Sequence, residues 1–390
     1  MEIRKWLLGL IILAIVSAPV LSILVWYFSP KYPINVMIVD KTVLTPDGNE
    51  HRSFNWVLKH HKYVKPDYSF YELEDYRGFF PLDSEKFYID DLDLYSDSQL
   101  DSLSDTLDMV YFTDTYGIYF NEWYRHKDET EHSEIVYGRT SENDFELMQK
   151  MHEKQKLILT EFNTIASPTS QKVRKKMEKE FGVKWSGWVG RYFFSLDTTK
   201  NPELPKWVVR LYKEQYGGVW PFLKSGIVFV HDDERICILE KELDLIHEVP
   251  IINTQKYYQD FYGVAEHIRY PFWFDISYLE YDDLVVSTYK IHTNERGDSL
   301  LARHKIPTEF PAVLGDHIIN RFYYFAGDFA DNPIPLSAVY SRGIEYLDFF
   351  LYENSDLADR KKFFWRYYRP LMVKIMDDYY ANINYDKIEN

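Results

Sequence analysis

The sequence predicts an α/β fold class, in which a mostly parallel sheet is covered by helices and preceded by one transmembrane helix. Two observations lead to this prediction. Strand and helix patterns alternate through the first half of the chain, and residues 6–28 contain no charged side chain. Added β strands and a C-terminal amphipathic helix are expected to complete the domain.

The N-terminal apolar run, residues 6–28, directly follows Arg4 and Lys5. A helix of that length spans the hydrocarbon core of a bilayer, whereas a cleaved signal peptide needs only about 7–15 apolar residues. The basic residues before the run place the N-terminus inside by the positive-inside rule. The sequence therefore predicts an uncleaved single-pass anchor (residues 1–28) and a soluble domain on the extracytoplasmic side of a bacterial inner membrane.

The soluble part is strongly acidic. The whole chain carries a formal charge of −16, and residues 1–28 contribute +1 through Glu2, Arg4 and Lys5, which leaves −17 for the remainder. Such a surface repels the phosphates of nucleic acids, so no nucleic-acid partner is expected. Cys237 is the single cysteine, so the domain must be stabilised by its core without an intrachain disulfide.

Residues 29–245 are predicted to form the α/β part. Apolar β-rich runs and helical spacings indicate, in order, strand 34–39, helix 51–61, strand 109–112, a helix with a capping box at Ser141, strand 156–160, helix 167–181 and hairpin 226–239. The strand–turn–helix unit at 156–182 is the clearest of these, because Pro168 opens its helix and Gly182 ends it.

Residues 246–390 are predicted to be a β-rich extension that completes the same domain. Strand 321–326 leads into a loop that contains Asp328 and Asp331. The final helix, about 356–380, has two apolar rows and a basic side, and Pro370 is expected to kink it. A basic amphipathic helix can lie on a membrane, but this one is expected to pack on its own domain.

Polar side chains follow the carboxyl ends of the predicted strands, where ligands bind in open α/β sheets. Two carboxyl groups with different pKa values can hydrolyse glycosides. The candidates for catalysis are Glu161, Asp114 and Asp328, and those for ligand binding are Asp40, Tyr116, Asn163, Arg191 and Asp331. The simpler interpretation of each acidic residue is a cap for a neighbouring helix or turn.

Aromatic side chains make up 18% of the chain. Clusters such as residues 270–275 offer flat amphipathic surfaces that stack on sugar rings beside carboxylates. The alternative is an aromatic core, which must hold for most positions because large aromatic side chains dominate cores. A glycan is therefore the expected ligand class.

Known cofactor and metal motifs are absent from the sequence. It contains no P-loop, no Gly-x-Gly-x-x-Gly, no His-Glu-x-x-His and no Gly-x-Ser-x-Gly. The adjacent histidines at 60–61 point about 100° apart on a helix and cannot easily share one ion. No cofactor and no metal is therefore expected, and a divalent ion bound by the strand-end carboxylates is the minor alternative.

With these features, residues 34–239 resemble the class I glutamine-amidotransferase-like fold, a flavodoxin-like arrangement, and especially its degenerate members, the ThuA-like proteins and the trimerisation domain of some β-galactosidases. The resemblance rests on the strand ending at Asp40, the stretch 108–117 and the unit 156–183. The nucleophile of that fold is missing, because residues 159–163 contain neither cysteine nor serine. The resemblance therefore implies the fold without amidotransferase chemistry.

The chain also resembles uncharacterised membrane-anchored bacterial proteins, through Glu-Phe-Asn at 161–163, Ala-Ser-Pro-Thr at 166–169 and Phe-Ala-Gly-Asp-Phe-Ala-Asp at 325–331. That family has no established activity to transfer. We therefore expect an extracytoplasmic domain that binds a carbohydrate or another envelope component at its strand ends. The alternatives are a carboxylate-dependent glycan hydrolase and a scaffold with envelope protein partners.

Overall fold

The computed structural model describes residues 16–124, 133–279, 284–316 and 321–389. Residues 6–15 of the predicted anchor lie outside the described residues, and residues 16–28 form helix α1. Within the described ranges, no helix has the length and apolar character that crossing a bilayer requires.

The described ranges contain eighteen strands. In chain order they are β1 Tyr32–Pro33, β2 Val36–Asp40, β3 Tyr63–Val64, β4 Arg77–Pro81, β5 Phe87–Asp90, β6 Met109–Asp114, β7 Ile118–Tyr119, β8 Ile135–Tyr137, β9 Leu157–Glu161, β10 Val183–Phe193, β11 Gly226–His231, β12 Ile236–Glu240, β13 Ile251–Thr254, β14 His267–Arg269, β15 Trp273–Leu279, β16 Val285–Lys290, β17 Glu309–Asp316 and β18 Phe322–Phe325.

The helices that follow α1 are α2 Asn49–His61, α3 Asp97–Thr106, α4 Phe120–Trp123, α5 Glu142–Glu153, α6 Gln171–Phe181, α7 Lys206–Gln215, α8 Lys256–Tyr262, α9 Glu295–His304, α10 Lys361–Phe363 and α11 Arg369–Glu389. A π-helical turn, Phe364–Tyr368, joins the last two. Short 3-10 turns lie at Phe162–Thr164, Leu336–Tyr340 and Ile344–Phe350.

The main sheet of the described residues has ten strands in the order β14-β13-β16-β17-β18-β9-β6-β2-β4-β5. Neighbouring strands from β18 to β4 are parallel, and the outer pairs are antiparallel. The prediction of a mostly parallel sheet is therefore wrong, because the sheet is mixed. The segments that join β17 to β18 and β4 to β5 are too short for the crossover that parallel neighbours need.

A second sheet has four strands in the order β12-β11-β10-β15, all antiparallel. Its edge strand β12 pairs with β11, which confirms the predicted hairpin. A smaller apolar core, which includes Phe193, Leu211 and Ile238, lies between this sheet and α7. β15 comes from the predicted extension, so the two halves of the sequence share this sheet.

The connections place helices on both faces of the main sheet. From β2 the chain passes through α2 to β4, and from β6 it passes through α5 to β9 in the opposite direction across the sheet. Because crossovers between parallel strands are right-handed, α2 and α5 lie on opposite faces. Helix α11 packs against α2, whereas α3 and α6 pack against α5.

The local predictions around α5 and α6 are confirmed in part. The Ser141 hydroxyl accepts a hydrogen bond from the Asp144 N–H at the start of α5. Gly182, in the left-handed conformation, ends α6. The predicted start of α6 at Pro168 is wrong, because the helix begins behind Ser170, whose hydroxyl accepts a hydrogen bond from a backbone N–H of the first turn.

The C-terminal helix packs on its own domain, as predicted. Its two apolar rows are buried from Phe363 to Tyr379, and α11 contacts α2 and α8. The π-helical turn ends at Tyr368, two positions before Pro370. The irregularity of this helix therefore lies beside the predicted kink, where a proline interrupts the hydrogen-bond ladder.

Candidate functional site

The candidate site begins at Asp40 and Asp114, the last residues of β2 and β6. These strands are neighbours in the sheet, and their two terminal residues are paired. The chain leaves β2 toward one edge of the sheet and leaves β6 toward the other. In open α/β sheets this reversal opens a crevice beyond the strand ends, which is the usual place for a ligand.

Asp40 is fully buried and bonded to a histidine on α2. Its Oδ2 atom lies 2.6 Å from Nδ1 of His51, and Nε2 of the same ring lies 2.8 Å from the Leu73 carbonyl oxygen. A carbonyl only accepts, so Nε2 must carry a proton. The ring therefore orients Asp40 by one nitrogen while the other nitrogen fixes the ring.

Asp114 is held by its own turn and by the next strand end. Its Oδ1 accepts from the Tyr116 N–H at 2.7 Å and from the side-chain amide of Asn163 at 3.0 Å. Burial and the nearby Asp40 raise the pKa of Asp114 to about 7. Asn163 thus orients Asp114, and the half-buried Tyr116 borders it.

Glu161, at the end of β9, is fully buried beneath this group. Its carboxyl oxygens accept from the backbone N–H groups of Phe329 and Ala330 at 2.8 and 3.0 Å, and the Tyr111 hydroxyl also donates to it. Burial raises its pKa well above the ordinary value. These bonds fix the loop that follows β18, so Glu161 positions Asp328 and the residues beyond it.

Asp328 and Asp331 lie on that fixed loop. One carboxyl oxygen of each is buried and has no hydrogen-bond partner among the described residues. Burial, Asp331, Asp114 and Glu161 raise the pKa of Asp328. The structure thus brings together the acidic candidates Asp40, Asp114, Glu161, Asp328 and Asp331, which we call the acidic cluster.

Two members of the site were missed from the sequence. Glu50, in the first turn of α2, has a pKa raised by burial and by Asp40, Asp331 and Asp114. The guanidinium of Arg360 lies 3.1 Å from the Asp331 carboxylate. The position of Glu50 at a helix start behind a strand end was a usable signal, whereas nothing local in the sequence connects Arg360 to this loop.

A cleft of about 570 Å³ adjoins the acidic cluster at Arg360. Its lining includes Arg191, Phe194, Glu203, Phe272, Pro333 and Arg360, and we call it the arginine cleft. The guanidinium carbons of Arg360 and Arg191 lie 3.7 and 4.7 Å from the centre of the Phe272 ring. Arg191 also pairs with Glu203, so both guanidinium groups are fixed in the wall.

The charges of the arginine cleft are mixed. Arg191, Arg360 and Lys361 face four acidic residues, Glu203, Glu353, Asp356 and Asp359. The cleft therefore offers both fixed donors and carboxylate acceptors rather than a net positive field. Such a lining suits a neutral ligand with many hydroxyl groups.

No three histidine, cysteine, aspartate or glutamate side chains in the described parts of the chain are grouped so that they hold a metal ion. Burial raises the pKa of Asp114 to about 7 and the pKa of Asp328 well above its ordinary value, so both carboxyl groups hold a proton more readily than an exposed carboxyl group does. A neutral carboxyl group can donate as well as accept a hydrogen bond, and it can act as a general acid.

No protein-family model matches the chain, and no curated protein matches it. Among solved structures, it is similar to a ThuA-like protein from Bacteroides uniformis ATCC 8492, with 9% sequence identity over 77% of this chain and 84% of that chain. The TM-score is 0.30. That neighbour is of the ThuA-like kind that the sequence resembles.

Proposed function

We propose that this protein is a membrane-anchored domain on the outer face of a bacterial inner membrane, and that it binds a carbohydrate of the cell envelope in the arginine cleft. Residues 6–28 attach it to the membrane. The acidic cluster supports the cleft wall through the contact between Asp331 and Arg360. No amidotransferase chemistry is part of this proposal.

The observation that carries the proposal is the pair of guanidinium groups fixed against Phe272 beside an exposed aromatic ring. Phe194 lines the same cleft and is about half exposed. Sugars present C–H faces that stack on an aromatic ring and hydroxyl groups that bond to fixed donors and acceptors. The cleft volume lies within the range of small-ligand sites, about 300–1,000 Å³.

Glycan binding tests this proposal. The full-length protein in nanodiscs is titrated with a panel of neutral and acidic envelope oligosaccharides by calorimetry. We expect at least one neutral oligosaccharide to bind, and we expect Phe194→Ala to weaken its binding about fivefold, because one stacking contact is worth roughly 1 kcal/mol.

Tyr257→Ala is the matched control, because Tyr257 is an exposed ring on α8 that does not line the cleft. The affinity of this variant for the oligosaccharide is expected to equal that of the unchanged protein. Equal losses in both variants, or no binding across the panel, contradict the proposal.

A glycan hydrolase is the second candidate function, and the raised pKa values of Asp114 and Asp328 favour it. Asp328 supplies the neutral acid and Asp114 the base or nucleophile in this reading. The same panel is assayed for new reducing ends. Turnover that disappears in Asp328→Asn while binding persists supports hydrolysis, and absence of turnover in the unchanged protein rejects it. Retained turnover in Glu161→Gln excludes an acid or base role for Glu161.

A further inference from the structure

An apolar surface lies at the 3-10 turn Ile344–Phe350, which we call the aromatic turn. Tyr346 is 81% exposed and Phe350 is 75% exposed, and more than half of Leu347 and of Phe349 is exposed. Four large apolar side chains within five residues form a patch that a soluble surface rarely leaves in water.

Helix α1 docks beside this turn. The indole N–H of the buried Trp26 donates to the His60 carbonyl at 3.0 Å, and its ring meets Tyr340 edge-on at 4.9 Å. The Ser22 hydroxyl donates to the Arg342 carbonyl at 2.8 Å. Tyr346, the first exposed aromatic ring of the turn, lies four positions after Arg342 in the chain, a span of at most roughly 14 Å.

The docking contact lies within the apolar run of α1. Ser22 precedes the end of that run by six residues, which is about 9 Å along a helix. The neighbouring side chains of α1 remain largely exposed, namely Val20, Leu21, Ile23, Leu24 and Val25. The segment 340–342 therefore contacts α1 beside Ser22, where the other faces of α1 are apolar and exposed.

The end of α1 is also fixed to the domain by a lysine. The Lys62 ammonium donates to the carbonyl oxygens of Tyr27 and Ser29 at 2.7 and 2.8 Å, where a cation stabilises the C-terminal end of a helix. Burial, Lys31 and Arg342 lower the pKa of Lys62. Three cations thus gather at the helix exit of an otherwise acidic domain.

We propose that the aromatic turn lies in the headgroup region of the same bilayer that α1 enters, so that the domain rests on the lipid surface. The inference rests on the membrane attachment proposed above. Apolar rings occupy the boundary between headgroups and acyl chains, and the exposed Lys31 and Arg342 at the helix exit face anionic headgroups. Phe350 belongs both to this turn and to the arginine cleft, so the cleft opens beside the membrane.

The test uses the full chain in vesicles of phosphatidylcholine and phosphatidylglycerol with brominated acyl chains. Phe349→Cys is labelled with a nitrobenzoxadiazole dye, while the buried Cys237 stays unlabelled in the folded protein. We expect the label to lose roughly half of its fluorescence relative to unbrominated vesicles, because its position lies about 5–10 Å into the interface.

Two further labelled variants separate the outcomes. Val20→Cys reports insertion of α1, and Leu94→Cys reports an exposed position, 95% accessible, that precedes α3 on the opposite face of the sheet. Quenching at Phe349 and Val20 but not at Leu94 supports the inference. Quenching at Val20 alone overturns it and leaves the anchor standing, whereas no quenching at Val20 removes the membrane attachment and the inference together.

Discussion

Asp275 shows how a single buried carboxyl group is tied to pH. It lies on β15, fully buried, and burial raises its pKa to about 7. The Tyr324 hydroxyl lies within bonding distance of both Asp275 and the Phe162 carbonyl, 3.1 Å away. A neutral Asp275 can donate to the Tyr324 oxygen, which leaves the hydroxyl proton free for Phe162.

Stability is therefore expected to fall as the pH rises from about 4 to about 7. In that window the folded state keeps the Asp275 proton that the unfolded state has lost, so raising the pH favours unfolding. Asp275→Asn keeps the neutral shape and removes this titration. The free energy of unfolding of the variant, relative to that of the unchanged protein, should therefore be higher at pH 8 than at pH 4. The difference is on the order of 4 kcal/mol, since one pKa unit is about 1.4 kcal/mol.

Urea unfolding at a series of pH values measures this difference. The pKa values of Asp114, Asp328 and Glu161 are also raised. The free energy of unfolding of Asp275→Asn should therefore still fall with rising pH, but less steeply than that of the unchanged protein. Glu74→Gln, on the surface, is the control and should leave the slope unchanged. A parallel pair of curves for Asp275→Asn and the unchanged protein contradicts the prediction.

At the scale of elements, the pairing of β4 with the end of β2 depends on Gly78. Its φ of 147° and its position opposite Asp40 leave no room for a side chain, because an added Cβ would stand 1.7 Å from the Asp40 carbonyl oxygen. The strand that closes one side of the acidic cluster can therefore approach β2 only through a glycine.

We expect Gly78→Ala to lower the free energy of unfolding by on the order of 3 kcal/mol. The strained backbone conformation and the overlap of the new Cβ with the Asp40 carbonyl oxygen both contribute. Gly263→Ala is the matched control, since Gly263 has a φ of 68° but open space around its Cα. It should lose only about 1–2 kcal/mol from the left-handed conformation. Urea midpoints measure both, and equal losses contradict the role of the close approach.

The βα units illustrate what an element contributes to the site. β9 presents Glu161 at its end, yet the side chain faces inward and binds the loop after β18. Its predicted catalytic role stays a prediction, whereas its bonds to that loop are structural. β9 thus places Glu161 at its carboxyl end, and the loop after β18 determines which groups the Glu161 carboxyl group binds.

At the scale of the whole molecule, the two halves of the chain are interleaved. β18 lies between β9 and β17 in the main sheet, and β15 pairs with β10 in the second sheet. The large apolar core includes residues from both halves, such as Ile158 and Phe325. Residues 29–245 therefore lack the strand that covers β9 and the helix that covers α2.

A chain that ends at residue 245 is expected not to fold. Its β9 edge would expose unpaired N–H and C=O groups beside uncovered apolar surface, which favours aggregation. Near-ultraviolet circular dichroism and urea unfolding measure the loss of fixed aromatic packing. A cooperative urea transition in the truncated chain would show instead that the first half is stable alone.

The sequence by itself determined the features that depend on near neighbours. These are the polar strand ends at Asp40, Asp114 and Glu161, the cap at Ser141, the end of α6 at Gly182 and the hairpin of β11 and β12. Each follows from hydrogen bonds or apolar spacing within about ten residues, so local sequence suffices. The apolar run at 6–28 is likewise a feature of near neighbours in the sequence.

Only the tertiary structure decided the directions of the outer strands, the inward turn of Glu161, and the arrival of Glu50 and Arg360 at the acidic cluster. Arg360 reaches Asp331 through the packing of the C-terminal segment, and no periodicity in the chain encodes that contact. Strand direction and long-range contacts are set by how all elements bury their apolar faces together. That collective condition cannot be read from any single segment.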